Sequence, residues 1–143
     1  MLEQKTRATL GEQIVENERG KIIGTRVVQL EGSRHGMELT FQSTGRLLGI
    51  DFNNTGTAVS YLKRGGCLDT EGRGIAMSQE GIANWTFRGI STPTGKGIAA
   101  KVRGCVTFET DSPKLERLNG LCCVVACDFD EDGGMRADLW ELT

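Results

Sequence analysis

The chain has 143 residues, with 17 Lys plus Arg against 19 Asp plus Glu and a net charge of −2. A single domain of that length buries roughly 68–70% of its extended surface, so its core needs neither metal nor disulfide for stability. The balanced charge leaves no basic excess to displace counterions from phosphate, and no nucleic-acid partner is expected. No apolar run approaches the roughly 18 residues of a membrane span, and the opening Met1-Leu2-Glu3-Gln4-Lys5-Thr6-Arg7 lacks the apolar stretch of a signal peptide. A cytoplasmic protein with no membrane partner follows as the expectation.

Residues 1–19 are polar, with Leu2, Leu10, Ile14 and Val15 sparse among them, and read as an N-terminal arm ahead of one domain, 20–143. From there the 20 glycines and only two prolines punctuate short segments that alternate or run apolar. Strands are predicted near 21–31, 36–43, 45–52, 55–63, 67–78, 82–91, 96–110, 119–129 and 134–142. Turn signals separate them at Gly65-Gly66, Gln79-Glu80-Gly81, Thr92-Pro93-Thr94-Gly95 and Asp130-Glu131-Asp132-Gly133-Gly134. Connections this short join antiparallel neighbours. Asp111-Ser112-Pro113-Lys114-Leu115-Glu116-Arg117-Leu118 is the exception: a capping residue, an early proline and two leucines three apart predict a short helical turn.

Within 82–91, Ala83, Trp85, Phe87 and Gly89 share one face. Within 96–110, Ile98, Ala100, Val102, Gly104, Val106 and Phe108 do the same. One-sided strands belong to an antiparallel sheet around a single core. Leu121-Cys122-Cys123-Val124-Val125-Ala126-Cys127 is apolar on both faces, and its outer face needs a cover. Neither the arm nor 111–118 offers a broad apolar stripe, so a second copy of the chain, and a homo-oligomer, is expected. Eight or nine strands without crossover helices predict an all-β protein, an antiparallel barrel in meander order, with a β-sandwich as the alternative. The echo between Glu71-Gly72-Arg73-Gly74-Ile75-Ala76 and Thr94-Gly95-Lys96-Gly97-Ile98-Ala99 reads as two strands crossing similarly crowded positions.

Gly-Lys-Ile-Ile-Gly-Thr-Arg-Val-Val (20–28), Gly-Thr-Ala-Val-Ser-Tyr (56–61), Glu-Gly-Arg-Gly-Ile-Ala-Met (71–77), Glu-Gly-Ile-Ala-Asn-Trp-Thr (80–86), Arg-Gly-Cys-Val-Thr-Phe-Glu-Thr-Asp-Ser-Pro-Lys-Leu (103–115), Leu-Asn-Gly (118–120) and Leu-Trp-Glu (139–141) together resemble a group of small uncharacterised prokaryotic proteins. Strand count and glycine placement are similar to those of allene oxide cyclase-like barrels. The likeness implies a barrel with an apolar interior and transfers no catalytic residue.

The chemical motifs are thin. The five cysteines, Cys67, Cys105, Cys122, Cys123 and Cys127, contain no C-x-x-C, and Cys123 and Cys127 stand about 13 Å apart along a strand. They read as reduced thiols, and with His35 the sole histidine no metal site is expected. His35 sits in a turn, where a solvated imidazole is expected. Gly89-Ile90-Ser91-Thr92-Pro93-Thr94-Gly95-Lys96 fails as a phosphate loop because its glycine spacing is one residue too long and no helix follows. Asp128, Asp130 and Asp132 match the first half of a calcium loop, but Leu139 stands where the bidentate glutamate belongs, so a solvated acidic turn is expected. No cofactor is implied.

Among polar groups that a barrel could place inside, Arg26, Tyr61, Glu71, Arg73, Trp85, Arg88, Arg103 and Glu141 stand out. Arg26, Tyr61, Glu71, Trp85, Arg103 and Glu141 are the candidate ligand-binding residues, because charge inside a barrel must be paired and can then orient a polar group. The expected function is binding of a small apolar or amphipathic molecule in the interior. Two alternatives stand beside it: a cofactor-independent isomerase or cyclase using Glu71 or Glu141 as acid and base, and a structural protein with a filled core.

Overall fold

The computed structural model describes residues 5–143. Eight strands run in order: β1 (Leu10–Gln29), β2 (His35–Leu47), β3 (Ile50–Leu62), β4 (Leu68–Ser78), β5 (Gly81–Pro93), β6 (Ala100–Thr110), β7 (Cys123–Phe129) and β8 (Gly134–Leu142). A 3-10 helix, Pro113–Gly120, lies between β6 and β7. Each strand pairs antiparallel with its sequence neighbours, and β1 pairs with β8 to close the barrel. The all-β meander is therefore as expected, with one helix and full closure.

Several boundaries differ from the sequence reading. Within the segment 1–19, residues 10–19 belong to the wall and not to an arm: Leu10 opposes Leu142 and Gln13 opposes Trp140, while residues 1–4 lie outside the described residues. The predicted breaks at residues 44 and 53–54 vanish, because Gly45 and Asn54 stay in the ladder and the true reversal is at Leu48-Gly49. Both turn residues have positive φ, 51° and 78°, the left-handed pair that suits the twist of a two-residue hairpin. Segment 94–99 is a loop, so the glycine echo pairs a strand with a connection. Residues 119–120 belong to the 3-10 helix, and β7 starts at Cys123.

The meander places four connections, 30–34, 63–67, 94–99 and 130–133, at one end of the barrel. The opposite end has the tight β2–β3 and β4–β5 hairpins and the 3-10 helix. That helix carries Leu115 and Leu118 into the core, with Leu118 fully buried. Asn119 pins it, accepting from Thr110 N at 2.8 Å and donating to Thr110 O at 3.0 Å. Ser112 Oγ donates to Glu80 O, and Lys114 pairs with Glu80 at 3.2 Å, tying the helix to the β4–β5 turn. One end of the barrel is thus plugged and the other is a mouth.

The outer face of β7 is less bare than its sequence implied. Val124 stands opposite Trp140 of β8, and Ala126 lies between Arg103 and Asp138. Trp140, Val124 and Ala126 are all partly buried within this one chain. An interface on this strand requires an uncovered apolar face, and the neighbouring strands supply part of the cover.

Candidate functional site: the barrel interior

The interior holds a cavity of about 460 Å³ that reaches from the mouth to Leu47 and Phe52, lined almost wholly by apolar groups that include Leu39, Phe41, Phe87, Val102, Val125 and Phe129. Trp85 and Phe41 meet at 6.1 Å between ring centroids, and Phe41 meets Phe129 edge-on at 6.2 Å. The interior is thus open rather than packed solid.

At the deep side of the cavity is a polar cluster. Glu18 is only 7% exposed and yet contributes to the cavity wall. Its Oε2 accepts from Ser43 Oγ at 2.5 Å and from Asn54 Nδ2 at 3.1 Å. Asn54 is held in turn by Trp85 Nε1, which donates to its Oδ1 at 2.8 Å. Both side-chain hydrogen bonds to the carboxylate go to one oxygen. Burial raises the Glu18 carboxyl above its ordinary value; the Ser43 and Asn54 bonds oppose the rise and the charge of Asp138 adds to it. A carboxyl with displaced acidity in an apolar cavity is equipped to give and take a proton.

The candidate residues do not converge there. Trp85 is the one that reaches the polar cluster. Tyr61 sits at the rim, its hydroxyl donating to Asp69 Oδ2 at 2.9 Å and its ring stacked under Arg34 at 4.6 Å. Arg26, Glu71 and Arg103 are on the outer wall and not inside. They pair there with Glu38, Arg88 and Asp128, each at 2.9 Å. The cause is parity: β4 turns Thr70, Gly72 and Ala76 inward, so Glu71 and Arg73 must face out. Arg88 follows the same rule on β5. Glu141 lies at the plugged end, 3.5 Å from Arg117 of the 3-10 helix and outside the cavity lining.

Glu18 is missed because 10–19 reads as a polar arm, and Asn54 because 53–54 reads as a break between strands; Ser43, at the end of the predicted strand 36–43, carries no signal of its own. Asn17 has a left-handed φ of 56°, and the β1–β2 register shifts between Glu16 and Arg19. This bulge breaks the two-residue period and turns Glu18 inward, and a second shift, in the β1–β8 register between Gln13 and Val15, accompanies the burial of Ile14 and Val15 in succession.

The acidic turn is self-satisfied. Asp130 Oδ1 accepts from Asp132 N at 2.9 Å and from Gly134 N at 2.8 Å, and Asp128 points back to Arg103. Among the described residues no group of three His, Cys, Asp or Glu is placed to hold a metal. His35 is exposed at the mouth, where β2 begins. No helix among the described residues is long and apolar enough to cross a membrane.

No protein-family model matches the chain. No curated protein matches it either. Solved structures do. A conserved protein of unknown function from Rhodopseudomonas palustris superposes with a TM-score of 0.76 at 13% identity, covering 94% of this chain and 99% of that one. A beta-barrel like protein from Acinetobacter baumannii AYE gives 0.75 at 14% identity, over 99% and 100% of the two chains. An enzyme from Penicillium herquei gives 0.57 at 15% identity, over 96% and 100%. Identities this low show a shared fold. The chain is a closed eight-stranded barrel of the kind found in uncharacterised bacterial proteins.

Proposed function

We propose that this barrel binds a small apolar or amphipathic molecule in its interior. The observation that carries the reading is the cavity of about 460 Å³, open at the mouth and walled by aromatic and aliphatic side chains with a few fixed polar groups. That combination of a dry wall and sparse polar contacts is what small-molecule sites have in common. The five free thiols fit a reducing compartment and support a cytoplasmic setting.

A neutral naphthylamine dye that brightens in apolar surroundings tests the reading. Wild type should bind it, and Ala58→Trp, which places an indole in the lumen from the inner face of β3, should abolish the signal while the protein stays folded. Equal dye binding by both proteins would overturn the proposal.

The carboxyl of Glu18 favours a second reading, a cofactor-independent isomerase or cyclase in which Glu18, rather than Glu71 or Glu141, moves the proton. Among the described residues Glu18 is the one carboxyl in the cavity wall, and burial sets its acidity apart. Apolar extract incubated with the protein would then yield a product of unchanged mass and altered chromatographic retention. Glu18→Gln should leave binding intact and stop that conversion; conversion by the variant would rule the role out.

A further inference from the structure

Resting on the binding reading, a second polar feature of the cavity specifies what the bound molecule carries. Ser60 on β3, Thr70 on β4 and Ser91 on β5 all line the cavity in its mouth half. Their hydroxyls form a row: Ser60 Oγ lies 2.8 Å from Thr70 Oγ1, which lies 2.8 Å from Ser91 Oγ. Thr70 and Ser91 are 3% and 5% exposed and Ser60 is half-buried, so water reaches the row chiefly through the cavity.

Three hydroxyls own three protons, and two hydrogen bonds within the row use two of them. The third proton is left on Ser91 or Ser60 when the row donates in one direction, and on Thr70 when both serines donate to it. Beyond Ser60 the next strand presents Met37, and beyond Ser91 it presents Val102, neither of which has an oxygen to receive it. None of the three hydroxyls bonds a backbone carbonyl among the described residues. A buried donor without an acceptor is unfavourable, and the open side of this row is the cavity.

Asn54, beside Glu18, and Ser60 are six residues apart on β3, roughly 20 Å at strand spacing. The row therefore serves as an anchor and does not act on the same atom as Glu18. Among the described residues the cavity wall has no Lys or Arg, and its one basic side chain, His35, is exposed at the rim, so nothing in the wall beside the row balances an anionic headgroup. We propose that the bound molecule is a neutral, elongated apolar compound whose carbonyl or ether oxygen accepts the spare proton of the Ser60–Thr70–Ser91 row, its apolar body extending towards Phe41 and Trp85.

The proton count makes an unusual prediction. Removing one end hydroxyl leaves two hydroxyls, one internal bond and still one spare proton. Ser60→Ala or Ser91→Ala alone should therefore keep the preference for an oxygenated ligand, and only the triple variant Ser60→Ala, Thr70→Val, Ser91→Ala should lose it. Methyl nonyl ketone and undecane, competing with the bound dye, measure this. The ketone-to-alkane affinity ratio should fall about fivefold in the triple variant, the size of one neutral hydrogen bond. A ratio unchanged in the triple variant would overturn the proposal. Wild type alone supplies an independent check that needs no variant to fold: the infrared carbonyl stretch of the bound ketone should lie below its position in alkane solvent. Dye bound and displaced with no such shift overturns the anchor and leaves the binding reading standing. Failure of the dye to bind at all overturns both.

Discussion

The indole of Trp85 lies where a side chain on Gly74 would have to stand. A Cβ built on Gly74 falls 2.3 Å from Trp85 Cε2 and Cζ2, far inside van der Waals contact, and one on Gly56 falls 2.6 Å from Trp85 Cζ2. The two glycines form a trough across β3 and β4 that lets the ring lie flat and reach Asn54. Gly74→Ala should therefore destabilise the protein by about 1–3 kcal/mol through overpacking and loosen the Trp85–Asn54 bond. Chemical denaturation with tryptophan fluorescence reads both effects. Unchanged stability would mean that the ring moves aside at no cost.

The pH dependence of stability should depend on Glu18. Its carboxyl is raised in the folded protein by burial, above the ordinary 4.5 that approximates the unfolded chain. A raised folded value means the unfolded chain gives up its proton first. Below the ordinary value the folded state loses nothing from this group; as pH climbs from there through the raised value, stability is lost. The difference in urea midpoint between wild type and Glu18→Gln should therefore change in the variant's favour as pH rises from 4 towards neutrality, a window taken from that 4.5. A difference that stays flat over this window would show that Glu18 is not desolvated.

Tyr61 is the chain's single tyrosine, so its titration can be followed by absorbance without ambiguity. The hydrogen bond to Asp69 raises it above the ordinary 10.0, and burial and the Asp69 charge act in the same direction. Asp69→Asn should bring the midpoint down. No movement on that substitution would detach Tyr61 from Asp69 at the rim.

The adjacent cysteines Cys122 and Cys123 give a chemical readout of the wall. Cys105 and Cys122 are exposed, whereas Cys123 and Cys127 are buried. Burial pushes the Cys123 thiol up to about 11 and that of Cys127 further. A maleimide should modify Cys105 and Cys122 at least about tenfold faster than Cys123 and Cys127, because it attacks the thiolate and needs access. Peptide mass mapping over time separates the sites, and fast labelling of Cys127 would contradict its placement in the lumen.

Legibility in the sequence followed the two-residue period. Where it was unbroken, in β5 and β6, the inner face was readable residue by residue: Ala83, Trp85 and Phe87, then Val102, Val106 and Phe108. Where a bulge broke it, at Asn17, the same count hid the buried carboxyl. Polar composition was also ambiguous. Glu71 and Glu18 look alike in a linear chain, and only registration against neighbouring strands sends one to Arg88 outside and the other to Asn54 inside. The hydroxyl row was invisible for a related reason: Ser60 and Ser91 are 31 positions apart with Thr70 between them, and only the pairing of three strands aligns them.

Closure of the barrel also has a kinetic side. Seven of the eight strand pairings join consecutive strands and can zip one hairpin at a time, whereas β1–β8 joins segments more than 110 residues apart, such as Lys21 and Gly134. Until that seam forms, a chain with every local hairpin in place is an open sheet with two bare edges, and loop-closure entropy delays the last step. The same two edges on separate molecules are complementary, β8 of one to β1 of another, so closure in cis competes with pairing in trans. Refolding yield should therefore fall as protein concentration rises, with the seam deciding whether a chain closes on itself or on its neighbour.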